Sequence, residues 1–215
     1  MAEALRIKIC GLTDPAEAAA CAALGAWAIG VVFVPDTPRY VTVEQAARVT
    51  DALPENVRRV GLFVDTDPDR IAEVVRLCRL TDVQLHGAGV DVAATRAAVD
   101  CGVIQAFAVD GPAAIDAARR SDADLVLLDA AVTGRHGGTG RRFDWSLLEG
   151  EALGRPFAVA GGLDPTNVAE AVRRVGPDVV DVSSGVERSP GRKDPALVDA
   201  FMTAARSAAT VGRGA

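Results

Sequence analysis

A chain of 215 residues has room for one good-sized domain or two small ones, and 49% hydrophobic residues can fill a sizeable core. A net charge of −6 and a pI near 5.0 exclude the broad basic surface that nucleic acid or an anionic membrane demands. No apolar leader and no run near the ~20 apolar residues of a spanning helix stand out, so a soluble cytoplasmic protein is expected. The four cysteines, Cys10, Cys21, Cys78 and Cys101, form no C-x-x-C pair; neither a metal site nor a disulfide framework is expected.

The first predicted strand is Leu5–Cys10. Leu5, Ile7 and Ile9 take one face; Arg6, Lys8 and Cys10 take the other. Such a strand packs its apolar face on helices and turns the other toward a polar interior. A helix follows from Asp14-Pro15 to Leu24, stopping at Gly25. Trp27–Val34 is the second strand, and Pro35–Tyr40 a stiff loop before a helix capped by Thr42. Further strands are predicted at 59–64, 83–86, 103–109 and 124–128, the last ending in Asp129. Helices follow the first three of these, starting at Asp67-Pro68, about Asp91 and Gly111-Pro112. A glycine-rich loop over 130–143 leads to a short helical turn from Asp144. The seventh strand, 157–160, ends in Gly161-Gly162, with a helix from Asp164-Pro165. The eighth, 179–182, ends in Ser183-Ser184-Gly185, and the last helix starts at Asp194-Pro195 and ends near Ala208. Four helices thus begin Asp-Pro, a cap followed by proline at the first helical position.

Eight strands alternating strictly with eight helical segments, without a linker or composition break, imply α/β architecture with a parallel sheet. The repeat number points to a single-domain (β/α)8 TIM barrel over residues 1–215, with its core at about 5–208 and a tail at 209–215.

In that fold the active site lies at the C-terminal ends of the strands, and the loops after strands seven and eight commonly hold phosphate. Here those ends carry Gly161-Gly162 and Ser183-Ser184-Gly185, while Gly138-Thr139-Gly140 follows strand six. Glycine lets backbone N–H groups approach a ligand, and a helix from Asp164 would add its positive end. Each cluster alone suits a tight turn; three on one rim suggest a phosphate cradle. Asp129 shares a face with Leu125 and Leu127 and so follows the barrel interior to the rim. It reads as a general acid or base, or else as a loop-bracing carboxylate. Cys10 reaches the same rim from nearly the opposite side. A thiolate base and a carboxylic acid so placed suit a proton-moving isomerisation with no metal or cofactor. Arg39 reads by default as a surface arginine, but Thr37-Pro38 stiffens the loop that carries it, favouring an inward guanidinium bidentate on a substrate carboxylate. Asp181 points into the barrel beside strand one, where Lys8 is its expected partner. His86 ends strand four and could reach the pocket floor, with a structural role as the competing reading.

Several stretches match a known family: Lys8–Thr13, Gly30–Phe33, Pro38–Val41, Gln84–Gly87, Leu127–Asp129, Gly137–Gly140, Phe143–Trp145, Ala160–Leu163 and Asp181–Glu187. In these the chain resembles the phosphoribosylanthranilate isomerase family of tryptophan biosynthesis. The resemblance implies an Amadori rearrangement of a phosphoribosylated anthranilate. Asp129 would be the general acid that opens the ribose ring, and Cys10 the general base that removes the C2′ proton. Arg39 would hold the anthranilate carboxylate. The Gly138–Gly140, Gly161–Gly162 and Ser183–Gly185 segments would bind phosphate, and Asp181 would contact the sugar or brace the site. Two departures, Thr37 where serine is usual and Arg141 where lysine is common, keep a hydroxyl and a charge. The implied partner is a small phosphorylated substrate. The sequence leaves monomer or homodimer open.

Two other readings share these features. One is a different sugar-phosphate isomerase, epimerase or synthase on the same barrel; the other is a non-catalytic binder of phosphorylated ligands. An epimerase would call for histidine and aspartate metal ligands, yet only two histidines are present. Cys10 and Asp129 at opposed strand ends argue against a binder.

Overall fold

The computed structural model describes residues 4–130, 145–149 and 153–211. β1 (Arg6–Cys10), α1 (Pro15–Ala23), β2 (Ala28–Val32) and α2 (Val43–Asp51) come first. They are followed by β3 (Arg58–Val64), α3 (Pro68–Cys78), β4 (Asp82–His86) and α4 (Val92–Ala98). Next are β5 (Gly102–Val109), α5 (Pro112–Arg119) and β6 (Leu125–Ala130), then β7 (Phe157–Val159), α6 (Val168–Val175) and β8 (Val179–Val182). A two-stranded antiparallel hairpin, β9 (Glu187–Ser189) with β10 (Arg192–Lys193), precedes α7 (Pro195–Val211). The strands β1 to β8 are parallel and close in sequence order into a barrel. No helix among the described residues is long and apolar enough to cross a membrane.

Local chemistry explains most helix starts. Asp14 accepts hydrogen bonds from the Ala16 and Glu17 N–H groups, Asp67 from Asp69, and Asp194 from Ala196 and Leu197. Thr42 and Gln45 form a reciprocal capping box. The expected helix start at Asp164 is corrected: α6 begins at Val168. Asp164 caps a turn instead, its Oδ1 accepting from the Thr166 N–H and hydroxyl. The segment expected to be helical after β6 is a 3₁₀ turn over Trp145–Leu147 among the described residues. The last helix continues to Val211, past the end expected at Ala208. The β9–β10 hairpin was not anticipated.

The alternating strand faces feed two separate apolar clusters. Ile7, Ile9, Val83, Val126 and Val180 belong to the layer between sheet and helices. Ala28, Val60, Ile104, Leu125, Leu127, Ala158 and Val179 pack inside the barrel. At the seam, β1 pairs with β8 in a register that sets Lys8 beside Asp181. The Lys8 Nζ donates to Asp181 Oδ2 at 2.9 Å, with both side chains buried. Burial opposes the Lys8 ammonium, but Asp181 and Cys10 outweigh it and push its pKa up from 10.5 to about 12.

Removing one partner of a buried pair strands the other, so Lys8→Met should lose about 3 kcal/mol or more of stability at neutral pH. The raised pKa sets the sign of the pH dependence. The Lys8 contribution is complete below pH 10.5 and fades as the pH rises through about 12, so the wild-type advantage in Tm should shrink across that window. Unchanged stability together with unchanged activity would refute a role for the pair.

Candidate active site

The C-terminal ends of the strands surround a cavity of about 810 Å³. Cys10, Arg39, His86, Asp129, Gly161, Gly162, Asp181, Ser183 and Ser184 all line it. Gly138, Thr139 and Gly140 lie outside the described residues. Gly185 does not line the cavity. A Cβ there would overlap the Leu163 carbonyl oxygen, so Gly185 lets the loops after β7 and β8 touch backbone to backbone.

Cys10 is 5% exposed and ends β1. Its neighbour across the strand pair is Gly30. A Cβ on Gly30 would stand 2.7 Å from the Cys10 Sγ and 3.2 Å from its Cα. Rotating the thiol alone cannot relieve that contact, so Gly30 makes the space that Cys10 occupies. Burial pushes the Cys10 thiol above its ordinary 9.0, while Lys8 and Lys193 pull the other way and Asp181 adds to the rise. Burial therefore disfavours the thiolate at this position. Lys8 tempers the cost of ionisation but does not cancel it.

Asp129, half-buried, reaches the cavity from β6. The ring order β6-β7-β8-β1 leaves two strands between it and Cys10. On the floor, the Gln84 amide Nε2 lies 2.7 Å from His86 Nε2. With the amide as donor, the imidazole accepts at that nitrogen. Among the described residues, three buried polar atoms of the lining have no hydrogen-bond partner: Gln84 Oε1, Asp181 Oδ1 and Ser183 Oγ. Each such atom costs about 1–3 kcal/mol if left unsatisfied. Their convergence on one cavity fits a ligand rich in hydroxyl groups.

The glycine turn after β7 is braced by a buried asparagine. Gly161 and Gly162 have φ of +85° and +65°, a region other residues adopt only with strain. Buried Asn167 donates from Nδ2 to the Gly162 carbonyl at 2.8 Å and accepts from the Asp164 N–H at 2.9 Å.

Arg39 makes a bidentate pair, but with a protein carboxylate. Its Nε and Nη2 donate to Glu187 Oε1 and Oε2 at 2.8 and 2.7 Å. Lys193 also donates to Glu187 Oε1, at 2.8 Å, and to the Ser183 carbonyl at 3.1 Å. Burial disfavours the Glu187 carboxylate, but Arg39 and Lys193 outweigh it and hold its carboxyl below the usual value. Gln84, Glu187 and Lys193 were not anticipated as part of the site. For Gln84 the signal existed: Asp82, Gln84 and His86 alternate with Val83 and Leu85, which puts a polar file on the inner face. Glu187 and Lys193 lie in the unanticipated hairpin, where no periodicity marks them.

The family model for N-(5′-phosphoribosyl)anthranilate isomerase matches residues 7–204. The chain is 44% identical over 205 residues to the N-(5′-phosphoribosyl)anthranilate isomerase of Magnetococcus marinus, covering 95% of this chain and 97% of that one. It is 45% identical to the Myxococcus xanthus protein of the same name, over 94% of this chain and 97% of the relative. The solved phosphoribosyl anthranilate isomerase of Thermotoga maritima superposes with a TM-score of 0.87 at 38% identity, covering 94% and 99% of the two chains. A structure of such an isomerase with reduced 1-(o-carboxyphenylamino)-1-deoxyribulose 5-phosphate superposes with a TM-score of 0.82 at 36% identity, with the same coverage.

Gly30→Ala should displace the Cys10 thiol. Misplacing a reacting group by about 1 Å can cost about 10²-fold, and a kcat loss of that order is expected with little change in the far-ultraviolet circular dichroism. A Gly30→Ala enzyme with full turnover would show that the thiol's position does not matter.

Proposed function

Because the chain belongs to the N-(5′-phosphoribosyl)anthranilate isomerase family, we propose a division of labour among its cavity residues. The activity is an aldose–ketose isomerisation in tryptophan biosynthesis. It converts N-(5-phospho-D-ribosyl)anthranilate to 1-(2-carboxyphenylamino)-1-deoxy-D-ribulose 5-phosphate. One observation supports the assignment of roles above others: Cys10 and Asp129 line one cavity from separated strands, and Gln84, Asp181 and Ser183 line it too, each with a buried polar atom that has no hydrogen-bond partner among the described residues.

Asp129 in its acid form protonates the furanose ring oxygen. The C1′–O bond breaks, the anthranilate nitrogen supplies its electron pair, and a Schiff base forms. Cys10 as thiolate then takes the C2′ proton, and the electron pair moves to give the enolamine. Tautomerisation yields the ketone. Cys10 acts from its thiolate form, whose proton has left for solvent before the C2′ proton is taken, and burial makes that prior ionisation costly. The Lys8 charge on the same strand face favours that loss. Asp181 Oδ1 and Gln84 Oε1 are suited to accept from sugar hydroxyls, with His86 adjoining. Ser183, Ser184, Gly161 and Gly162 hold the phosphate, with Gly185 shaping their loop and Gly138, Thr139 and Gly140 assigned to the same rim. Arg39 takes the anthranilate carboxylate. The same proposal puts the enzyme in the cytoplasm, which its four free thiols suit, as a monomer or homodimer.

Loss of phosphoribosylanthranilate fluorescence is the direct assay. Cys10→Ser and Asp129→Asn should each lose about 10²–10⁴-fold or more in kcat while remaining folded. Arg39→Ala should mainly raise KM. Near-full turnover by Cys10→Ser would refute its assignment as the base.

A further inference from the structure

We propose that Glu187 is a positioning residue that presents Arg39 to the substrate. The inference rests on the carboxylate-binding role given to Arg39 above. A guanidinium has two edges that can grip a carboxylate: side-on through Nε and one terminal nitrogen, and end-on through both terminal nitrogens. Glu187 takes the side-on edge of Arg39 completely. The end-on edge has no protein partner among the described residues, and Arg39 lines the cavity whereas Glu187 does not. The second fork is therefore the one left for a ligand.

The path of the side chain is determined along its length. Gly11, at φ +79°, lies under the stem of Arg39, and a Cβ there would overlap the Arg39 Cδ. The hairpin that carries Glu187 abuts the loop that carries Arg39. Gly191, at φ +78°, is packed so tightly that a Cβ would overlap the Pro38 carbonyl oxygen. The hairpin is itself tied down, because the Lys193 N–H and the Arg188 guanidinium both donate to Glu17 of α1. Thr13 donates its hydroxyl to the Gly191 carbonyl.

The charges complete the arrangement. Two cations, Arg39 and Lys193, share one anion, Glu187, which leaves a surplus positive charge. Lys193 is 1% exposed and bonded on the protein side to Glu187 and the Ser183 carbonyl. The surplus is thus expressed at Arg39, where the cavity is. An isolated Arg39 in a buried setting would instead be free to turn toward any acceptor, and its end-on edge would be presented only part of the time.

Glu187→Gln keeps the shape and breaks the fork, since one amide group is a donor facing the donors of Arg39. KM for phosphoribosylanthranilate should rise about ten-fold or more, the scale of a lost charge-assisted hydrogen bond, with kcat within about three-fold. The inhibition constant of inorganic phosphate, a probe that lacks the aryl carboxylate, should not change. In an Arg39→Ala background, Glu187→Gln should add nothing further. If Glu187→Gln does not fold, Glu187→Asp, which keeps the charge but retracts it, is read by the same three measurements. An unchanged KM, an equal loss of phosphate affinity, or additive effects with Arg39→Ala would each overturn the inference. Those results would leave the substrate assignment standing if the wild-type chain turns over. A wild-type chain without turnover would sink both.

Discussion

A lysine ammonium and an aspartate carboxylate, 2.9 Å apart inside the barrel, join the first strand to the last. Neither charge could stay there alone, because burial of an unpaired ion is far costlier than burial of a pair. The register that lets them meet is the register that closes the ring: Lys8 opposite Asp181 on one side of β1, Cys10 opposite Gly30 on the other. Closure therefore places the thiol at the rim and leaves a positive charge one layer beneath it. The free oxygen of Asp181 faces the cavity above the same pair.

The site is assembled by removing side chains as much as by adding them. Gly30 clears room for Cys10, Gly11 for the stem of Arg39, Gly185 for contact between two rim loops, and Gly191 for the approach of the hairpin to Pro38. A methyl group at any of these four positions meets another atom well inside van der Waals distance. Close backbone packing thus sets the space that Cys10 and the stem of Arg39 occupy. A set position is the condition under which electrostatic and positioning effects are strong.

Burial and charge pull the reactive thiol in opposite directions. The low polarity of the barrel interior favours the neutral form, and two lysines from different elements favour the thiolate. Ionising this thiol therefore costs more than ionising an exposed one, and the neighbouring fixed cations lower that cost.

Residue alternation along each strand was legible from the chain alone, because it depends on neighbours two positions apart. The eightfold βα repeat, the rim positions of Cys10 and Asp129, and the inner face of Asp181 all follow from it. Even the Lys8–Asp181 pair, 173 positions apart, was within reach, because barrel closure makes strand eight the neighbour of strand one. The Arg39–Glu187 pair, 148 positions apart, was not. Both residues sit on segments between the barrel strands and helices, where no period says which way a side chain points, and the hairpin carrying Glu187 and Lys193 is too short to leave a pattern. The start of α6 was misplaced for a related reason: Asp164 caps a turn as its composition suggests, but the Asn167 side chain ties that turn to the Asp164 N–H and the Gly162 carbonyl, and the regular helix begins after it. Periodic local interactions thus determined the barrel and the strand-end residues. Only tertiary packing decided which carboxylate Arg39 pairs with, which glycines are packed too closely for a side chain, and that burial opposes ionisation of the Cys10 thiol, because each depends on atoms the chain brings together only after it closes.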